Sequence, residues 1–208
     1  MKPSRTWLAA LMVIGVMIWW ILSHLSFHRT VHQQIGESMT MAHVRTYVGT
    51  EPGWRVRFQY PEGWVLREER GQVERYRQVR IMGPRNHEDS YTCYLSVLAA
   101  PLQDAGGRFP NTEAFVQNYT SHLAQGATVV SSQPISVDRT KATELIATYT
   151  MPPWHHQGVK AIAVPVKVRT VVLEQPPYLY QLTYSADARE YDAHAAAFEQ
   201  LLTTFQLP

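Results

Sequence analysis

Trp54, Val56, Phe58 and Tyr60 stand at every second position, separated by Arg55, Arg57 and Gln59, and the run stops at Pro61-Glu62-Gly63 before Trp64. Successive side chains of a strand point to opposite faces, so this spacing predicts a half-buried strand with its aromatic side inward. Pro61 and Gly63 predict a turn, after which Trp64 is expected to fold back onto the core. Six further stretches read the same way. Residues 76–82 form an Arg-rich second strand stopped by Gly83-Pro84, and the charged stretch 68–74 with Gly71 reads as a hairpin tip. Residues 91–99 are apolar at both parities, which predicts a central strand. Residues 129–137, interrupted by Ser131-Ser132-Gln133-Pro134, and residues 143–150 flank the polar turn Asp138-Arg139-Thr140 and predict a hairpin. Residues 162–173 alternate, and Pro176-Pro177 turns them into 179–184, with Tyr178, Tyr180, Leu182 and Tyr184 on one face.

Two stretches change period. Asn111 can cap a helix in which Phe115, Tyr119 and Leu123 recur every fourth residue until Gly126. Asp187 and Glu190 fit a capping box, and Tyr191, Ala195, Phe198, Leu202 and Phe205, with Leu201 beside them, mark one face of a closing helix. Strands in runs plus two one-faced helices predict an α+β domain, an antiparallel sheet flanked by helices.

What precedes this domain reads as delivery. Lys2 and Arg5 come before residues 7–27, which carry no Asp, Glu, Lys or Arg, with Trp7 at one end and Trp19 and Trp20 toward the other. A helix of that length spans roughly 31 Å, enough to cross the hydrocarbon layer of a bilayer. No small-residue cleavage site and no cysteine follows the run, so the segment is expected to stay as a signal anchor. The basic end stays cytoplasmic, which predicts a single-pass protein of the bacterial inner membrane with its domain on the periplasmic side. The expected organisation is therefore a cytoplasmic N-terminus over 1–6, a transmembrane helix over 7–27, a polar neck over 28–50 and one domain over 51–208. The domain's roughly 155 residues suit a single core.

Candidate chemistry is sparse. His24, His28 and His32 recur every fourth residue and His43 returns to about the same helical face, a pattern open to a metal or pH sensor or to a plain polar face. Trp154, His155 and His156 form a polar and aromatic cluster in a Pro/Gly-bounded loop. They are read as a partner-contacting tip, with a metal-dependent hydrolase site or a metal carrier as the alternative. Cys93 is the sole cysteine and is expected to pack as a small apolar residue. Arg55, Arg57, Arg67, Arg70, Arg75, Arg77, Arg80 and Arg85 crowd the first two strands, read as the solvated side of an edge hairpin or a face for anionic lipid. The net charge of +2 is too mild to argue for nucleic acid. No nucleophile elbow, zinc-protease helix, phosphate-binding loop or dinucleotide fingerprint is present. No cofactor and no catalytic residue are expected.

The entry Phe58-x-Tyr60-Pro61-x-Gly63-Trp64, paired with the exit Tyr178–Ala186 and Phe198-Glu199-Gln200-Leu201-Leu202-Thr203-Thr204-Phe205, resembles the PsbP-like family. This is the superfamily of the extrinsic photosystem II protein and of the yeast Ran-binding Mog protein. The resemblance covers about residues 51–207. It implies an α/β/α sandwich around an antiparallel sheet and no enzymatic activity. Photosystem II subunits of the family arrive with a cleavable transit peptide and bind through a basic mature N-terminus. An anchor and a His-bearing neck stand in their place here, so the photosynthetic role does not carry over. The expected role is an accessory or assembly subunit of a membrane-associated complex, with an unidentified membrane or periplasmic protein as its partner.

Overall fold

The alternating runs become strands in a computed structural model that describes residues 43–51, 54–70, 76–86, 90–123, 126–151 and 163–207. Strands β1 (Val44–Val48) and β2 (Arg57–Pro61) pair as a separate antiparallel ribbon. Strands β3 (Val65–Arg70), β4 (Arg77–Met82), β5 (Cys93–Pro101), β6 (Thr128–Val137), β7 (Thr140–Met151), β8 (Val164–Gln175) and β9 (Tyr178–Asp187) build one sheet. Its order is β3-β4-β5-β9-β8-β7-β6, antiparallel throughout. The last strand in the chain is thus inserted at the middle, between β5 and β8. Helix α1 (Thr112–Ser121) follows β5, and helix α2 (Tyr191–Thr204) follows β9.

The two helices lie on opposite faces of the sheet. Phe115 of α1 packs with Val172 and Leu179, and Tyr119 meets Thr170. Phe198 of α2 stacks on Tyr184, whose cross-strand neighbour on β8 is Arg169. Residues 169 and 170 of one strand point to opposite sides, so the sheet is sandwiched. The ribbon lies against α2. Phe58 stacks on Phe205, the Gln59 amide donates to the Thr204 hydroxyl, and Arg57 pairs with Gln206 as an isolated antiparallel bridge.

Every inward residue of the opening run is buried, as the alternation predicts: Trp54, Val56, Phe58 and Tyr60. Trp54 Nε1 donates to Tyr47 Oη at 2.6 Å, and Tyr47 stacks on Phe58. Asn111 caps α1, its Oδ1 accepting from the Ala114 amide at 2.9 Å. The predicted hairpin turn sits at Asp138-Arg139, both with positive φ (46° and 62°).

Other expectations are corrected. The packed unit begins at His43 and not at Glu51, because β1, which falls within the stretch read as neck, supplies the partner for β2. The first run therefore leaves the main sheet, and the Arg-rich edge hairpin is β3 with β4. Residues 68–70, expected in a hairpin tip, continue β3 because their backbone finds β4. The Ser-Ser-Gln-Pro interruption does not break β6. This is an edge strand, so Pro134 has no second neighbour to disappoint, and the irregularity is absorbed as a register shift between Val129 and Ser131. Helix α1 stops at Ser121, short of Gly126. No capping box forms at α2: Asp187 instead accepts from the Arg189 amide and guanidinium, and the cap position is Glu190, without a side-chain bond. The buried face of α2 is Tyr191, Ala197, Phe198 and Leu201, with Ala195 and Leu202 at its margins. Among the described residues no helix is long and apolar enough to cross a membrane, and the segment 7–27 lies outside them.

Two outcomes follow. Arg139 holds a left-handed conformation that costs an L-residue about 1–2 kcal/mol, so Arg139→Gly is expected to stabilise the fold by roughly 0.5–1 kcal/mol in urea unfolding, after the added entropy of glycine. Burial raises the phenols of Tyr180 and Tyr191 to about 12, and that of Tyr184 also upward. A raised acid is less readily ionised in the folded state, so its contribution is complete below the unfolded value near 10 and is lost as pH climbs toward 12. Unfolding monitored together with tyrosinate absorbance should show stability falling only above about pH 10.

Candidate functional site

The innermost strand should bury apolar side chains on both faces, yet alternate residues of β9 are Gln181, Thr183 and Ser185. Register places more polar groups beside them. Ser96 of β5 and Thr170 of β8 flank Thr183, and Tyr94 of β5 flanks Ser185. Gln78 of β4 donates from Nε2 to Ser96 Oγ at 2.7 Å, and Gln181 Nε2 donates to Thr183 Oγ1 at 3.1 Å. Tyr119 reaches down from α1 so that its Oη lies 3.2 Å from Thr170 Oγ1. Tyr149 of β7 lies on the same face beside Ser185. The result is a band of hydroxyls and amides across four strands, with three phenols around it.

This band is settled internally and neutral at its centre. Charge enters at its β4 edge, where Arg80, the register partner of Ser96, donates to Gln78 Oε1 at 3.3 Å and meets Glu69. Ser96, Thr170, Thr183 and Ser185 are buried, while Gln78, Tyr94, Tyr149 and Gln181 are half-buried. Burial raises the phenols of Tyr119 and Tyr149, and the neighbouring Tyr94 adds to both effects. They stay protonated at neutral pH. Such groups donate and accept hydrogen bonds without exchanging protons, which suits recognition.

The other sheet face holds a buried charge. On the α2 side, Arg169 Nε donates to Glu144 at 2.6 Å and the same guanidinium reaches Glu199 while lying over Phe198. Burial opposes the charge on Arg169, but the two carboxylates outweigh it and raise its pKa. Glu144 is buried and also accepts from Gln133, so the pair clamps β6, β7 and β8 to α2. At the sheet edge Arg70 and Arg77 both reach Glu51, which lowers the pKa of that carboxyl, and Arg80 meets Glu69. The arginines that crowd the sequence here are largely consumed by neighbouring acids, which favours the solvated-edge reading for β3 and β4.

Of the sequence candidates, Trp154, His155 and His156 lie outside the described residues, as do Trp7, Trp19, Trp20, His24, His28 and His32. His43 is described. It lies in a bend immediately before β1, with its Nδ1 3.8 Å from Glu62, and is not on a helix. Among the described residues no group of three or more His, Cys, Asp or Glu is placed to hold a metal. Cys93 is 2% exposed and its thiol is pushed up to about 11 by burial, the packed and unreactive state that its apolar surroundings predict. The polar band went unread in the sequence. Its signal is the second parity of β9, where Gln, Thr and Ser replace the expected apolar residues.

No family model matches the chain, and no curated protein matches it. Solved structures do. The cyanobacterial PsbP protein of Synechocystis aligns with a TM-score of 0.50 at 15% identity, over 82% of this chain and 96% of that one. A Pseudomonas aeruginosa protein of unknown function aligns at TM-score 0.45 and 15% identity, over 80% of this chain and 98% of that one. LpqN of Mycobacterium tuberculosis, described as involved in cell envelope biogenesis, aligns at 0.46 and 14%, over 78% and 89%. The fold is PsbP-like, as the entry and exit motifs imply.

The polar band makes a prediction of its own. Thr170→Val leaves the half-buried Tyr119 hydroxyl without its partner and is expected to cost about 1 kcal/mol. Adding Tyr119→Phe should recover part of that loss, and a double-mutant cycle in urea measures the coupling.

Proposed function

We propose that this protein is a non-catalytic accessory domain, anchored in the bacterial plasma membrane and held on its extracytoplasmic side, which binds and stabilises a membrane-associated protein complex. The observation that carries this reading is the band of Gln78, Ser96, Gln181, Thr183 and Ser185 edged by Tyr94 and Tyr149. Protein interfaces are enriched in tyrosine and depleted of acidic groups at their centres, and this face has that composition. The PsbP-like fold supports the reading, and so does the apolar segment 7–27 with its Trp7, Trp19 and Trp20 girdle. The loop carrying Trp154, His155 and His156 follows β7 and precedes β8, and it serves as a second contact to the partner. No nucleic acid and no cofactor enter this role.

Affinity isolation of the full chain from solubilised membranes is expected to return a reproducible membrane or periplasmic partner. Gln78→Lys with Gln181→Lys places two charges in the band and should cut recovery by tenfold or more, since an unpaired charge at an interface costs upward of about 2 kcal/mol. Undiminished recovery from that variant sinks the assignment of the surface. Protease added to spheroplasts should digest the domain, and full protection would show that it faces the cytoplasm.

A further inference from the structure

The β1–β2 ribbon carries a second and different surface. Arg55 and Arg57 flank the buried Val56, so both point outward from the ribbon. Arg57 lies opposite Val48, which is 57% exposed. Together with Thr50 and Leu207 these residues line an open groove of about 350 Å³. Gly49 forms its floor because Trp54 packs directly against it: a Cβ there would stand 2.3 Å from the Trp54 carbonyl oxygen. The groove is therefore a fixed feature of the ribbon, bolted to the C-terminal segment by the Arg57–Gln206 bridge.

Its electrostatics differ from those of the adjoining arginines. Arg45, Arg70, Arg77 and Arg80 each meet a carboxylate. Among the described residues no carboxylate lies within ion-pair distance of Arg55 or Arg57. Two free guanidiniums beside an exposed valine and a half-buried leucine fit a ligand that is anionic at one end and apolar next to it. The position in the chain selects the source. The ribbon begins at Val44, 17 residues after the apolar segment ends at Phe27, a reach of at most about 60 Å even when fully extended. A groove tethered this closely to a bilayer meets headgroups at an effective concentration of order millimolar, which compensates for a site built from only two cations.

We propose that the groove between β1, β2 and Leu207 seats the phosphate of an anionic phospholipid, with Arg55 and Arg57 on the phosphate and Val48 against the glycerol and upper acyl chain, so that the ribbon rests on the membrane that anchors the chain. This rests on the anchored reading above. It leaves the polar band, on the opposite side of the sheet from the ribbon, facing away from the lipid and open to a partner.

The test uses the full chain in vesicles of phosphatidylcholine, with or without phosphatidylglycerol. Val48→Cys takes an environment-sensitive fluorophore, since Cys93 is buried and withheld from the reagent. Gln117→Cys on the exposed side of α1, across the sheet from the ribbon, is the control. Emission from position 48 should shift to an apolar value and be quenched by brominated lipid when phosphatidylglycerol is present, whereas position 117 stays aqueous. Arg55→Gln and Arg57→Gln should each weaken the headgroup-bound state by about 5-fold. A label at 48 as aqueous as that at 117, or a response indifferent to both substitutions, overturns the proposal while leaving the anchor intact. An equal response to inorganic phosphate in detergent overturns the lipid as source. Failure of the chain to float with vesicles overturns the anchor and this inference together.

Discussion

Strand β9 is enclosed on both sides, and most of the architecture answers to that enclosure. Tyr180, Leu182 and Tyr184 need cover on one face, while Leu179 and the hydroxyl residues need it on the other. One helix cannot lie on two faces, so the chain supplies α2 for the tyrosines and α1 for Leu179. Tyr184 also donates from its hydroxyl to the Tyr191 carbonyl at 2.6 Å, which fixes the first turn of α2 on the strand it has just left. Although β9 is the last of the nine strands among the described residues, it pairs with both β5 and β8 and contributes to the cores on both faces of the sheet.

Much of this was legible because burial on one side leaves a period-2 imprint. Trp54, Val56, Phe58 and Tyr60 announced their inward face, and the two parities of 91–99 announced a central position. What the pattern could not give was the pairing partner. Val44–Val48 carries only Tyr47 inward, too little alternation to be told from a polar neck, so the strand that draws β2 away from the sheet was invisible. The second parity of β9 was hidden for the opposite reason. Tyr178, Tyr180, Leu182 and Tyr184 dominate the stretch by size, and three small polar side chains between them look like ordinary solvent-facing positions until the sheet closes over them. Pro134 misled because a proline forbids a central strand but is harmless on an edge.

Among the described residues the buried carboxylate sits on one face only. The α2 side holds its buried carboxylate, Glu144, in a bidding contest between Gln133 and Arg169, and Arg169 is itself flattened on Phe198. Removing either partner of such a pair leaves a charge stranded in a poor solvent, so the clamp restricts how the β6–β7 hairpin can sit. The opposite face uses neutral donors and acceptors at its centre and keeps its ion pair, Arg80 with Glu69, at the edge. A surface of that kind keeps its hydrogen-bonding pattern over a wide pH range, since nothing in it titrates between the carboxylates and the tyrosines.

The bridge between Arg57 and Gln206 has a topological consequence. It brings the last described residues of the domain alongside Arg57, at the Val48 end of the ribbon and four residues along β1 from Val44. A reporter fused after Leu207 would crowd that end of the ribbon, on the α2 side of the sheet, while leaving the hydroxyl band on the other face untouched.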